Sequence, residues 1–343
     1  MPSPYNSAAE AAITAVVGSA FAGTAPEHAL KGSVRSGAVV PDPVSGWTAG
    51  AGAPGPTRLT ARLQVAVAAA QEAGDFLRAR VGGRADSRFQ PKGESGDVVS
   101  DLDVEAERLI VQRLRAAYPQ IPILAEESGL ADGGPAGGWG RSPWLWVVDP
   151  LDGTNNLAIG LPAYVVGVAL CRDGVPVASV VHEPETGRTW TAVAGGGLTG
   201  PGPVSRRTQA QQVVAWTQGY RVQRTDPMLG ALRAVLERRA RRTLSLWAPL
   251  LGWAMLARGD IDAFIGYRPE LIDLPGGLLL AREAGLEVVT LDGRPFAARL
   301  DQYCDPDADL SFVCAPRGQI TQYLDLVAQA EELAPGLAEV FRD

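Results

Sequence analysis

Two aspartates three residues apart, Asp149 and Asp152, close an unusual segment, WLWVVDPLDGTNN, at residues 144–156. The apolar run 144–148 has the length of a buried strand and delivers Asp149 at its end. Pro150 has no N–H to donate and breaks the ladder there. Asp152, Gly153, Thr154 and Asn155 follow, residue types that open helices or leave backbone N–H groups free for an anion. Two carboxylates at a strand end, beside such a turn, suit a hard divalent cation bridged to a phosphate. By themselves the same residues also fit a strand and an Asp/Gly turn with no chemistry.

Further acids are spaced along the chain. Asp103 ends DVVSDLD (97–103) at the start of a helix expected over 104–118, where Asp101 and Glu105 serve the helix dipole. Glu126 and Glu127 follow a strand at 121–124, so one of them can face the Asp149 strand end. Asp273 precedes Leu274 and Pro275 and reads as a helix N-cap, a role compatible with metal binding. The set is rich in oxygen ligands and has no thiolate or imidazole cluster, which argues against zinc. His28 and His182 stand far apart, and Cys171, Cys304 and Cys314 have no metal spacing; they read as small buried thiols of a reducing, cytoplasmic setting.

Three separated segments together resemble the inositol monophosphatase family of magnesium-dependent, lithium-sensitive phosphomonoesterases. DPLDGTNN (149–156) is similar to that family's DPxDGTxN signature, AEES (125–128) lies upstream as expected, and IDLPGGLLLAREAG (272–285) is similar to WDxAAGxxLxxEAG. The resemblance spans about residues 59–317. It implies an α+β protein layered as an αβαβα sandwich, of the inositol monophosphatase and fructose-1,6-bisphosphatase type, assembled as a homodimer. It also implies two or three Mg2+ ions. Glu126, Asp149 and the Leu151 carbonyl would hold the first, and Asp149, Asp152 and Asp273 the second. Glu126 would share a third, weaker ion. Thr154 and Asp103 match the pair that orients and deprotonates the attacking water, with Glu126 also at the catalytic centre and Glu127 in support. Asp152 and the N–H groups of Gly153 and Thr154 would meet the phosphate.

The substrate-facing positions depart from the family. Ile272 stands for a tryptophan, Pro275 for an alanine and Asn155 for a threonine, and Gly266 occupies the position of an acid that grips the polyol in inositol-preferring members. Ser245, Leu246 and Trp247 replace a run of small residues. Arg268 and Glu270 are candidates for the lost contacts, or simply a solvated loop. The expected activity is therefore hydrolysis of a small phosphate monoester other than myo-inositol phosphate: histidinol phosphate, a sugar or polyol phosphate, or a pathway-specific ester. Alternatives within the class are 3′-phosphoadenosine 5′-phosphate or fructose bisphosphate, and outside it a protein-interaction role in transcription.

The elements that must position these residues follow from periodicity. Residues 1–57 are rich in Ala, Gly, Ser and Pro and read as an extension with one short helix at 8–21 and a flexible linker. A metal-binding α+β domain is expected over 58–204, opening with an amphipathic helix at 59–81 and a loop at 81–96 that includes Lys92. A Gly-rich loop follows at 129–141, then antiparallel strands at 164–171, 175–182 and 189–193. A second, α/β domain is expected over 205–343. Its strands fall at 213–217, 261–266 and 287–290, and its helices at 228–238, 250–258, 274–284 and 319–333. The chain of 343 residues is 46% hydrophobic with a formal charge of −7, a soluble composition without a basic footprint for nucleic acid. No apolar run is long enough for a membrane span.

Overall fold

The computed structural model describes residues 56–82, 89–91, 98–131, 142–203, 212–296 and 309–340. The expected helix at 8–21, the linker up to residue 55, Lys92, His28, Cys304 and most of the 129–141 loop lie outside them.

Helix α1 (Pro56–Gly82) leads to an antiparallel pair, β1 (Phe89–Pro91) and β2 (Val98–Ser100), and then to α2 (Asp101–Ala117). On α1, Ala66, Ala69, Ala70, Ala73 and Leu77 recur every three or four residues and are buried; Leu102, Ala106, Ile110 and Leu114 do the same on α2. Strand β1 falls inside the loop expected over 81–96, and β2 lies in the DVVSDLD segment that leads into α2. Next come β3 (Ile123–Ala125), β4 (Gly129–Ala131), β5 (Trp144–Asp152), the short α3 (Thr154–Ala158), β6 (Val165–Arg172), β7 (Val175–Glu183), β8 (Arg188–Val193) and β9 (Gly197–Thr199). They form a seven-stranded sheet in the order β4-β3-β5-β6-β7-β8-β9. Only β3 and β5 pair in parallel in that sheet; the turn-linked strands expected after residue 164 are β6 to β8.

The second half runs β10 (Val213–Gln218), α4 (Pro227–Arg239), β11 (Arg242–Leu244), α5 (Pro249–Ala257), β12 (Ala263–Tyr267) and a 3₁₀ turn (Leu271–Asp273). It ends with α6 (Leu274–Glu283), β13 (Leu286–Val289), β14 (Phe312–Pro316) and α7 (Ile320–Val340). The five strands order as β11-β10-β12-β14-β13, with β10 parallel to both neighbours and β14 antiparallel to both of its own. Helix α7 outruns its expected end and passes Pro335, because Leu337 is buried in the core beneath it. Tertiary burial there outweighs the lost helical hydrogen bond.

Alternation along the strands sorts side chains into separate cores. Trp146 and Val148 of β5 pack with α1 and α2, whereas Leu145 and Val147 face α5 and α6. On β12, Phe264 faces α5 and α6, and Ala263 and Ile265 face α4 and α7. The result is five layers: α1/α2, the seven-stranded sheet, α5/α6, the five-stranded sheet and α4/α7. This is the αβαβα sandwich. The middle layer centres on Trp253, whose ring stacks on Phe312 at 4.4 Å and meets Phe264 edge-on at 5.2 Å. His182, Cys171 and Cys314 are buried, and burial pushes both thiols far up from their ordinary range. Among the described residues, no helix is long and apolar enough to cross a membrane.

Candidate active site

Strict alternation would turn residues 149 and 152 to opposite faces of β5. The ladder to β6 instead shifts register between them, from Asp149↔Gly167 to Asp152↔Val165. The irregularity brings both carboxylates to one side and lies where Pro150 has no N–H to give. The strand therefore does not end at Val148 but carries both aspartates itself. Asp273 joins them from the 3₁₀ turn: one oxygen from each of Asp149, Asp152 and Asp273 lies within 4.8 Å of the others, and all three are buried.

The capping role expected for Asp273 is not observed. Its backbone is already helical (φ −79°, ψ −18°) and its side chain makes no cap hydrogen bond. A capping side chain needs extended backbone, and the 3₁₀ turn removes that geometry. Asp152 is instead the side chain that meets a helix start: its Oδ2 accepts the Leu251 N–H of α5 at 3.0 Å. The middle helical layer is thereby tied to the acid cluster.

Glu126 sits on the turn after β3, its N–H bonded to the Val148 carbonyl at 3.1 Å, and it lines the same cavity as Asp149, Leu151, Asp152, Gly153 and Thr154. Burial, then the charges of Glu126, Asp152 and Asp273, hold the Asp149 carboxyl well above the usual carboxylate range. Asp152 is raised as well, chiefly by burial, against the opposing pull of the Leu251 N–H. Buried like charges at this spacing cannot all ionise without a counter-charge. A hard divalent cation with oxygen ligands is the counter-charge that fits such a donor set.

Thr154 opens α3 beside the cluster. Its hydroxyl donates to Asp103 Oδ1 at 2.5 Å and lies 3.1 Å from the Leu151 carbonyl. The other Asp103 oxygen accepts the N–H and hydroxyl of Ser100, at 2.8 and 2.6 Å, which completes a capping box on α2. Burial raises the Asp103 carboxyl; these hydrogen bonds offset it only in part. Gly153, at φ +117°, makes the turn possible, since a Cβ there would stand 2.7 Å from the Ala163 carbonyl.

Glu127 does not line this cavity, and its N–H reveals a residue that the sequence reading missed. Buried Glu107 on α2 accepts the N–H groups of Glu127 (2.8 Å) and Ser128 (3.1 Å), clamping the turn that carries Glu126. The available signal was an acid on the apolar face of α2, one turn after Asp103. Glu107→Ala strands two N–H groups, so urea unfolding is expected to register a loss of about 2 kcal/mol or more. A loss under about 0.5 kcal/mol would mean that water replaces the clamp.

Val98, Asn155, Tyr220 and Trp247 complete the lining. The Tyr220 hydroxyl is driven well above its ordinary range by burial and then by the charges of Asp273, Glu126, Asp152 and Asp149, although the residue as a whole is 42% exposed. Arg268 and Glu270 are not among the lining residues. Glu270 accepts the Tyr220 N–H at 3.2 Å, and the Arg268 N–H donates to Ser311 Oγ at 2.9 Å. Half-buried Glu105 pairs with Arg108 and does not line the cavity.

Comparison with known proteins is consistent with this geometry. Residues 58–322 match the model of the inositol monophosphatase family. A Thermotoga maritima protein named fructose-1,6-bisphosphatase/inositol-1-monophosphatase is 31% identical over 215 residues, covering 62% of this chain and 78% of that one. The Nus factor SuhB of Xylella fastidiosa is 31% identical over 244 residues, covering 70% and 85%. Among solved structures, a Thermotoga maritima IMPase superposes with a TM-score of 0.65 at 26% identity, covering 80% of this chain and 99% of that one.

Proposed function

The chain belongs to the inositol monophosphatase family, and on that premise we propose that it is a magnesium-dependent hydrolase of a small-molecule phosphate monoester. The observation that carries this reading is the buried triad of Asp149, Asp152 and Asp273 within 4.8 Å, next to Glu126 and the Gly153–Thr154 turn. In this reading Asp149, Asp152, Asp273, Glu126 and the Leu151 carbonyl hold the cations. When bound, magnesium supplies neutralisation of the phosphate charge and activation of a water.

The chain's own residues do the rest. Thr154 Oγ takes a proton from the attacking water while its own passes to Asp103 Oδ1, 2.5 Å away. Ser100 keeps the other Asp103 oxygen fixed, so the carboxylate stays aimed at Thr154. The N–H groups of Gly153 and Thr154 face the phosphate, where a helix start favours an anion. Glu107 fixes the turn from which Glu126 projects.

The test is inorganic phosphate release from inositol phosphates, sugar phosphates, imidazole-bearing phosphates and nucleotides, with magnesium, with chelator, and with lithium added to any positive. Magnesium-dependent, lithium-inhibited release from at least one ester is expected. No release by folded, metal-loaded protein would overturn the reading and favour the second one. That second reading, a protein-binding role in transcription, draws on the relatives named Nus factor SuhB.

A further inference from the structure

Leu250, on the first turn of α5 and 2% exposed, meets each of the three elements that carry the buried aspartates. Its backbone serves Asp152. The Leu250 N–H acts on that carboxylate together with the Leu251 N–H, which donates to Oδ2 at 3.0 Å. Its side chain reaches the elements of the other two. Gly167 pairs with Asp149 across the β5–β6 ladder, and a Cβ on Gly167 would stand 2.3 Å from Leu250 Cδ1 and 3.7 Å from Asp149 Cβ. The other methyl of Leu250, Cδ2, would stand 3.3 Å from a Cβ on Gly276, three residues after Asp273.

The first turn of α6 is closed in on its other sides as well. Ser179 of β7 is 1% exposed, and its hydroxyl donates to the Gly276 carbonyl at 3.1 Å, holding that turn against the sheet. Gly277 meets the Trp253 ring of α5, which a Cβ would approach to 2.1 Å. The glycines leave room for Leu250 and for nothing larger at their own positions. Close-packed interiors of this kind transmit a shift to their neighbours, so a change at Leu250 is passed to the acids on either side of it.

We propose that Leu250 is a positioning residue for the metal centre: its side chain, wedged between Gly167 and Gly276, sets the separation of Asp149 and Asp273, while the helix start it belongs to holds Asp152. The inference rests on the phosphatase reading, which gives these acids to the cations, and deepens it by naming what spaces them. Residues that support the ligands of a metal site are worth about 10-fold to 100-fold in affinity.

Mn2+ is the probe, a hard cation suited to the same carboxylates. Loss of the free-ion EPR signal on titration with the full chain reads binding without any ester. Leu250→Ala should weaken Mn2+ binding by at least about 10-fold. Leu256→Ala is the control, because it truncates an equally buried leucine (2% exposed) near the other end of α5. It should also lower the melting temperature, yet keep Mn2+ affinity within about 2-fold of wild type. Leu250→Met conserves volume and should retain most of the affinity. Gly167→Ala keeps Leu250 but claims the space of its Cδ1, so it should weaken binding too, and it decides the question if Leu250→Ala does not fold. Affinity unchanged in Leu250→Ala or in Gly167→Ala, or weakened as much in Leu256→Ala, overturns the inference and leaves the phosphatase reading standing. A folded wild type that binds no Mn2+ overturns both.

Discussion

Asp149→Asn is expected to lower kcat/KM for the best phosphate ester by at least about 1,000-fold, roughly 4 kcal/mol of transition-state stabilisation. The same change should make the metal-free protein more stable at pH 8. The two effects share one cause. Asp149 is buried and faces Glu126, Asp152 and Asp273, so its folded carboxyl lies well above the ordinary value. The unfolded chain releases the proton near pH 4, whereas the folded chain keeps it to higher pH. The folded state then binds more protons through that window, and metal-free stability falls as pH rises from about 4 through the raised value. Asparagine abolishes that slope at residue 149, leaving the one from Asp152, whose carboxyl is also raised. Magnesium binds only the folded wild type and restores its stability at high pH. Chelator-treated and magnesium-loaded samples of both proteins, melted between pH 5 and 8, check the result. A variant less stable than wild type without metal, or one within 10-fold of wild-type activity, would falsify the assignment. In cells, retention of function by the Asn variant would instead support the protein-binding role.

The acids at 149 and 152 were legible because Pro, Gly and two Asp in one short run have few structural uses together. Their common direction was not, because it depends on a one-residue register shift against β6, which lies in the pairing partner and not in the segment. Asp273 shows the same limit. Local chemistry favoured a cap, and the preceding 3₁₀ turn, formed as α6 docks between the sheets, turned the carboxylate to the cluster instead. Strand β14 went unread because FVCAP is buried on both faces and so has no alternation to detect. Tyr220 and Glu107 act through contacts 50 and 20 residues away in sequence, with Glu270 and with Glu127. No window of helical or strand periodicity contains such pairs. What periodicity could give, it gave: α1, α2 and the three antiparallel strands fall within a few residues of their expected bounds.

Thr154→Ala should leave metal binding intact and reduce kcat by about 100-fold to 1,000-fold, the usual worth of a positioned proton acceptor. Thr154→Ser keeps the hydroxyl and should stay within about 10-fold of wild type. Asp103→Asn is a sharper probe, since an amide can donate to Thr154 Oγ and so reverse the polarity of the 2.5 Å contact. It should match Thr154→Ala in kcat. Asp103 also belongs to the capping box of α2, so part of its effect will be on stability. Ser100→Ala measures the stability share, because it removes a cap hydrogen bond worth about 1 kcal/mol and the hydroxyl bond to Asp103 Oδ2 while the Ser100 N–H still holds that oxygen. Burial raises the Asp103 carboxyl, so it becomes a competent acceptor only as pH rises through a value above that of an ordinary aspartate. The acidic limb of the kcat profile should therefore lie above pH 4 in the wild type and vanish in Asp103→Asn. An unchanged limb in that variant would show that another group takes the proton. Equal kcat for Thr154→Ala and wild type would remove the pair from the reaction, leaving Asp103 as an anchor between α2 and α3.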